Sequence, residues 1–497
     1  MSEKVLYSKG GGSLASLMLF LIGVGVLLFS CSKFSAQELA SIPDFGLLAW
    51  LSLFWLIAFF TLTYLHYKSV YLIVSTYVLG LTVFHLGIIF NSIVTGQPVY
   101  WDPKVAPWMD RAGWLVLAAL SSIGVGVALS TWFVKKKYIS KDLAIARSQE
   151  ALSFGYWSSL GLLLASAIFF LLAIQSYGNL LDYQRFEIFR SSADSRGFGA
   201  FMMIFPGAVL LFFLTATKPT QRRLAWALVF FSLLLFLFSG YRSAAMFPML
   251  AGVVLWVKKG NKLPFYVAVV LAIAAIFAVS FFGYLRLMGS YGDIDKDALI
   301  QSYEQSSLGD VATLGQTVGI VGHTLRFVPH EEPYRLGRSY YNAVVDSVPN
   351  IGFQISSKRS RKQFKEDMQS DPNVVVDMAP SDWMTYKILR DQYDLGQGVG
   401  FSTVAEPYLN FGLAGVVVFF VSIGALLGLF DHKTLILHPK LLLFMGAMYW
   451  PLIRTVRNDF SNFIKPFTFM LVILLLWWIF SKLVLGKRLP RKMGRLR

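Results

Sequence analysis

Cysteine occurs once in the 497 residues, at Cys31, which excludes an internal disulfide framework and a cysteine-ligated zinc site. Charge is scarce as well. Asp, Glu, Lys and Arg together make up 15% of the chain, against 56% hydrophobic residues and 16% aromatics, with a mean hydropathy of +0.57. Soluble domains do not carry that balance. There is no Walker motif, no paired-histidine zinc motif, no internal repeat, no heptad array and no Pro-rich or Ser-rich tract. Neither ATP nor zinc is therefore implied, and no cofactor is expected.

What the chain has in abundance is apolar sequence in uninterrupted runs. About 20 such residues are needed to cross ~30 Å of hydrocarbon as a helix, and twelve stretches come near that length: 13–31, 45–65, 70–94, 112–134, 155–175, 198–217, 223–239, 243–257, 264–284, 411–430, 440–453 and 466–485. The fold class this predicts is an all-α polytopic membrane protein with about 12 transmembrane helices. Leu28, Phe29, Ser30 and Cys31 weakly resemble a lipoprotein cleavage box, but with so many apolar runs downstream the first run reads as an uncleaved span.

The formal charge of +17, from 45 Lys and Arg against 28 Asp and Glu, would suggest nucleic acid in a soluble protein. Here the excess sits in every second loop: Lys68; Lys135, Lys136, Lys137 and Lys141; Lys218, Arg222 and Arg223; Lys258, Lys259 and Lys262; and the tail from Lys482 to Arg497. Alternation of this kind orients a membrane protein, so no nucleic-acid partner is expected and both termini are placed in the cytoplasm. Residues 1–285 then carry nine spans, 286–400 form one large extracytoplasmic loop, periplasmic in a Gram-negative inner membrane, and 401–497 carry three spans and a basic tail. A loop that long is usually functional. Val311, Leu314, Val318, Val321 and Leu325 recur at helical spacing and predict an amphipathic helix over 308–327 lying along the membrane surface; a short helix capped by Ser381 is predicted after Pro380.

Ionisable residues inside spans usually mark ion or proton paths, and His85 is the main candidate at mid-span. The outer ends of the spans are instead rich in arginine: Arg242, Arg286, Arg326, Arg335, Arg338, Arg454 and Arg457. Basic residues there run against the orienting trend, and guanidinium forks bind phosphate oxygens bidentately, so an anionic ligand at the outer membrane surface is one reading. Snorkelling to headgroups, or pairing with an acid such as Asp459, is the other. In the stretch from Gly396 to Gly412, Glu406 falls at the apolar start of a span, where it could accept a proton or simply favour the helix dipole. His323 could act as a base or a sugar hydrogen-bond donor. Asp293 and Asp295 form an Asp-x-Asp, but on the side where sugar nucleotides are absent.

The turn Gly240-Tyr241-Arg242-Ser243, the run Arg335-Leu336-Gly337-Arg338-Ser339-Tyr340-Tyr341 followed by Pro349-Asn350, and Gly400-Phe401-Ser402 with Glu406 and Asn410-Phe411-Gly412 resemble, in order and sidedness, the Wzy-type polymerases of O-antigen and related oligosaccharide repeat units. The layout of the whole chain resembles theirs too. The resemblance implies a GT-C-like, metal-independent glycosyltransferase of the inner membrane that uses undecaprenyl-diphosphate-linked oligosaccharides, among membrane lipid, beside a Wzz-type chain-length regulator and a flippase. It implies Glu406, then His323, as the base; Arg242, Arg286 and Arg338 as a diphosphate cradle supported by Arg326 and Arg457; and Tyr340, Tyr408 and Asn410 as sugar contacts, with Tyr341 and Trp383 as further aromatic faces. An O-antigen ligase and a lipid-linked oligosaccharide flippase are the alternatives.

Overall fold

The computed structural model describes residues 4–8, 13–36, 45–95, 102–135, 137–177, 196–238, 242–271, 273–274, 281, 315–348, 364, 366–367, 371–394 and 398–485. Where no water reaches the backbone, a helix satisfies its own amides and carbonyls, and the apolar runs are helical. They form α1 (Leu14–Ala36), α2 (Gly46–Tyr67), α3 (Ile73–Thr95), α4 (Met109–Phe133), α5 (Lys141–Tyr177), α6 (Arg196–Thr215), α7 (Pro219–Phe238) and α8 (Arg242–Lys258). Then come four shorter helices, α9 (Thr317–Phe327), α10 (Arg338–Val345), α11 (Pro380–Ile388) and α12 (Arg390–Asp394), before α13 (Ala405–Asp431), α14 (Pro439–Arg454) and α15 (Ser461–Leu485). Eleven of the twelve predicted stretches coincide with a helix. The twelfth, 264–284, lies partly outside the described residues. Among the described residues eight helices are long and apolar enough to cross a membrane, namely α1 to α5, α7, α13 and α15, while α6 and α8 hold shorter apolar segments.

The centre is α4, whose most apolar 18-residue window is 94% buried. Against it crosses α13, at van der Waals contact of the two backbones. A Cβ on Gly126 would run into the carbonyl oxygen of Val421, and one on Gly424 into that of Ile123. Gly424 and Gly428 form the small-xxx-small spacing with which membrane helices approach closely. α1, α2 and α3 complete this core by packing Leu19, Trp55, Phe59 and Leu81 with Leu120 of α4, while α5 and α6 pack with α14 and α15 around Leu162, Ile204, Ala447 and Met470.

The loops expected on one face gather at one end of the bundle. Lys259 Nζ donates to the Leu214 carbonyl at 2.6 Å and Tyr71 Oη to that of Leu263 at 3.0 Å. The buried carboxylate of Asp431 accepts the first amides of α3, Ile73 N at 2.9 Å and Val74 N at 3.0 Å, and pairs with Lys258 Nζ at 2.7 Å. It therefore both closes the helix start and neutralises a lysine. The apolar pattern did not foretell one element at this end: β1 (Lys4–Ser8) and β2 (Lys137–Ser140) pair antiparallel, Lys4 opposite Ser140, with an irregularity between Leu6 and Ser8. Strands this short carry too few residues for a period-2 signal.

The described parts of 315–400 pack at the opposite end. α9 is not a surface helix with one wet face. Nine of its eleven residues, from Thr317 to Phe327, are buried, and Gly322 sits so close to Val105 and Met109 that a Cβ there would come within 2.9 Å of both. α11 does begin at Pro380, but its N-cap is Ala379 without a side-chain bond, and Ser381 lies inside the helix. Proline at the first position already forgoes one of the amides a cap would satisfy.

Candidate active site

α13 is two helical pieces in one. Gly412 at φ 65° breaks the ladder, a backbone state that glycine alone adopts freely, and so separates a short turn, 405–411, from the long apolar helix. Ser402 starts the turn. Its Oγ accepts the amides of Val404 at 3.0 Å and Ala405 at 3.2 Å, and lies 2.7 Å from His85 Nε2. Since His85 Nδ1 faces the Leu81 carbonyl at 3.1 Å, and a carbonyl only accepts, Nδ1 carries the proton and the neutral ring's Nε2 accepts from the serine. The mid-span histidine thus has both nitrogens satisfied and ties α3 to the turn.

At 100° per residue, Glu406 and Asn410 share one face of that turn and Tyr408 points the other way. On the shared face the Glu406 side chain, 2% exposed, accepts Ser339 Oγ–H at 2.8 Å and the Phe460 amide at 2.6 Å. Asn410 Nδ2 donates to Ser339 Oγ at 2.7 Å and to the Glu406 carbonyl at 2.9 Å, while its Oδ1 accepts Gly337 N at 3.0 Å. The amides of Arg335 and Leu336 bond the carbonyls of Leu409 and Asn410 at 3.0 and 3.1 Å. Three segments far apart in sequence, 335–339, 406–410 and 459–460, therefore close around one carboxylate. Asp459, fully buried, lies near enough to act on Glu406 electrostatically, and it accepts the Ser381 amide at 3.2 Å and Asn462 Nδ2 at 3.1 Å.

The cation beside this pair is Arg335, 4% exposed. Its guanidinium donates to the Met378 carbonyl at 2.8 Å and lies 5.0 Å above the Trp383 ring, whose Nε1 donates to Glu332 at 3.0 Å. Burial lowers it to about 10, while Glu332, then Glu406 and Asp377, pull the other way, so it stays charged at neutral pH. Arg335 Nε and the Tyr340 hydroxyl are buried with no hydrogen-bond partner among the described residues. Burial, and next the Glu406 charge, raise Tyr340, which keeps the phenol protonated.

The other expected residues divide. Arg338 Nε is fixed on Asp377 at 2.6 Å and Arg326 on Glu331 at 3.6 Å. Arg457 is exposed, 5.9 Å from the Phe84 ring. Tyr408 is buried edge-on against Phe34 and Tyr334 at 6.0 and 5.9 Å, and Trp383 is fully buried, which leaves Tyr341, 68% exposed, as the accessible aromatic. His323 lies apart, stacked on Phe327 at 6.1 Å with its Nδ1 unpartnered among the described residues. Burial lowers it to about 4, with Asp102 pulling upward and Arg326 pushing further down. Arg286, the Arg242 side chain, the Gly240-Tyr241 turn and the Asp293–Asp295 pair lie outside the described residues. Among the described residues no group of three or more His, Cys, Asp or Glu could hold a metal ion. A cavity of about 240 Å³ lies at the far end, beside Lys258, Asp431 and His432, away from this chemistry.

Sequence reasoning passed over Phe460 and the special place of Arg335, met Ser339 only within a motif, and took Asp459 only as an acid for an outer arginine to pair with. Helical spacing pairs Asn410 with Glu406, but only the fold brings in partners roughly 50 to 70 residues away. A family model described as O-antigen polysaccharide polymerase Wzy matches residues 14–488. No curated protein and no solved structure matches the chain.

Proposed function

The chain belongs to the O-antigen polysaccharide polymerase Wzy family, and from that premise we propose that it moves a growing polysaccharide from undecaprenyl diphosphate onto the non-reducing end of an incoming lipid-linked repeat unit, with Glu406 as the base. The family supplies the coarse statement: a multi-pass membrane polymerase of glycosyltransferase type acting on a lipid-linked oligosaccharide. The finer reading rests on the buried Glu406 carboxylate gripped by Ser339 and Phe460.

In this reading a sugar hydroxyl oxygen of the incoming unit attacks the anomeric carbon of the chain. The bond from that carbon to the diphosphate oxygen breaks, the diphosphate leaves with the electron pair, and the hydroxyl proton passes to Glu406. Ser339 links Asn410 to Glu406. It receives from Asn410 and donates to Glu406, which orients the carboxylate as a positioned base requires. Arg242 and Arg286, with Arg457 in support, are the proposed cradle for negative charge growing on the diphosphate, where one well-placed donor is worth ~3–4 kcal/mol; Arg338 joins them only by exchanging Asp377 for the diphosphate. The gathering of basic loops at the other end supports a periplasmic position for Glu406 and cytoplasmic termini; twelve spans, a GT-C-like arrangement and transfer without a metal belong to the same proposal.

Purified protein in liposomes, given lipid-linked repeat units, is expected to lengthen them, and deletion of the gene is expected to leave core carrying single units on a lipopolysaccharide gel. Bare core with accumulated lipid-linked polymer would assign a ligase instead, and single units stranded inside the cell a flippase. One observation favours a second role for Glu406: both its oxygens already accept protein donors, so it could be a latch that seats 335–339 on the membrane helices. In that case its replacement lowers stability and activity together.

A further inference from the structure

We infer that Arg111 is the phosphate ligand of a second lipid-diphosphate site, formed by the ends of α1 and α4 on the side of the 405–411 turn opposite Glu406. The inference rests on the proposed polymerase reading, which needs two lipid diphosphates at once, one leaving and one on the acceptor.

Most described cations at this end of the bundle are already committed. Arg326 is paired with Glu331, Arg338 with Asp377 and Lys387 with Glu332, while Arg335 is sunk among carbonyls. Arg111 contacts no carboxylate among the described residues. Its Nε donates to the Phe34 carbonyl at 3.2 Å, one of the acceptors that the last turn of α1 leaves open. Its guanidinium carbon stands 4.9 Å from the Phe34 ring and 5.9 Å from the Trp108 ring. One bond and two rings hold the plane of the fork, and its two terminal amino groups have no protein partner among the described residues. A guanidinium so fixed has little rotamer freedom left to lose on binding a phosphate bidentately.

The surroundings fit a lipid carrier. Lys33, exposed on the last turn of α1, lies 5.7 Å from the Phe29 ring four residues earlier. Leu28 and Phe29 continue an exposed apolar surface along α1 towards the bilayer, where a prenyl tail would run. The Phe34 ring that supports Arg111 also meets Tyr408 edge-on at 6.0 Å. The site therefore touches the back of the turn whose front carries Glu406, and two lipid-linked saccharides can approach one turn from two sides.

The test uses the full chain in nanodiscs of zwitterionic lipid, with farnesyl diphosphate as probe and phosphatidylglycerol as the competing lipid phosphate. Arg111→Gln is expected to weaken farnesyl diphosphate binding about tenfold or more, the scale of a lost charge-assisted contact. Arg111→Lys should recover part of that loss and match the melting of Arg111→Gln, and phosphatidylglycerol retention should be unchanged in both. In turnover, Arg111→Gln should raise KM for lipid-linked units more than it lowers kcat. Unchanged diphosphate affinity overturns the site, as does a loss confined to phosphatidylglycerol, which would make Arg111 an ordinary headgroup contact. Wild-type KM and rate in Arg111→Gln would sink this inference while leaving the polymerase reading intact. Probe binding through Arg111 in a chain that lengthens nothing would do the reverse.

Discussion

Replacing Glu406 with glutamine separates its proton chemistry from its packing. The two side chains are nearly the same size, and the carboxylate now accepts from Ser339 Oγ at 2.8 Å and from the Phe460 amide at 2.6 Å. A glutamine can keep its oxygen on the amide and turn its NH2 to Ser339 Oγ, which has a lone pair to receive it. Each bond then drops from the charge-assisted range of ~1.5–3 kcal/mol to the neutral range of ~0.5–1.5 kcal/mol. Two such bonds put the cost to stability at about 2 kcal/mol, small enough for the protein to stay folded. The rate is another matter, because a positioned base contributes ~10²–10⁴-fold and an amide cannot accept the proton. Purified Glu406→Gln in liposomes, compared with wild type by polymer length over time and by thermal melting, should therefore lose at least ~100-fold in rate while melting only slightly lower. Elongation at near wild-type rates would falsify the base assignment. A collapse of melting together with activity would favour the latch.

Four further outcomes are expected. Asp431→Asn leaves Lys258 without its counterion in a buried place and loosens the start of α3; breaking such a pair costs ~3–5 kcal/mol, read as lost monodisperse protein in detergent. His323, held at about 4 by burial against an unfolded value near ~6.5, binds its proton later in the folded chain. Its stabilising contribution is thus complete above pH ~6.5 and shrinks as pH falls towards 4, and His323→Phe should flatten that part of a melting-versus-pH curve. Arg242→Gln and Arg286→Gln should each nearly abolish polymer on a gel at normal protein levels, consistent with ~3–4 kcal/mol per lost oxyanion-type contact. Gly424→Val should prevent close packing of α13 on α4, since even a Cβ there meets the Ile123 carbonyl, and should show as a protein that inserts but does not purify as one species.

The helices were legible because their signal is local. Twenty apolar residues in a row satisfy their own backbone and need no partner to be recognised, which is why α1 to α8 and α13 to α15 stand where hydropathy put them. The misses come from elements defined by neighbours. α9 has the spacing of an amphipathic helix, but the positions between its apolar residues include Thr317, Gly319, Gly322 and Thr324, small enough to be buried as well, with Val105 and Met109 pressed against Gly322. Period alone cannot tell a wet polar face from one merely small enough to bury. The β1–β2 ribbon joins segments roughly 130 residues apart through backbone bonds, and those leave no trace in side-chain pattern.

The arginines show the same limit with charge. From sequence, an outer arginine bound to substrate and one bound to a neighbouring acid look identical, because the deciding partner is remote: Asp377 for Arg338, 39 positions away, and the Met378 carbonyl for Arg335, 43 positions away. Arg111 escaped notice for a related reason, since it sits one residue after Asp110 and reads as a helix-start pair. In the fold its Nε turns instead to the Phe34 carbonyl, 77 positions earlier. A cation's usefulness to a phosphate depends on what it is not already holding, and that follows from the packing of α1 against α4. The residues to vary first in this membrane protein are therefore those whose donors the fold fixes in place but leaves unspent, with Arg111 ahead of Arg338, whose fork is already closed on Asp377.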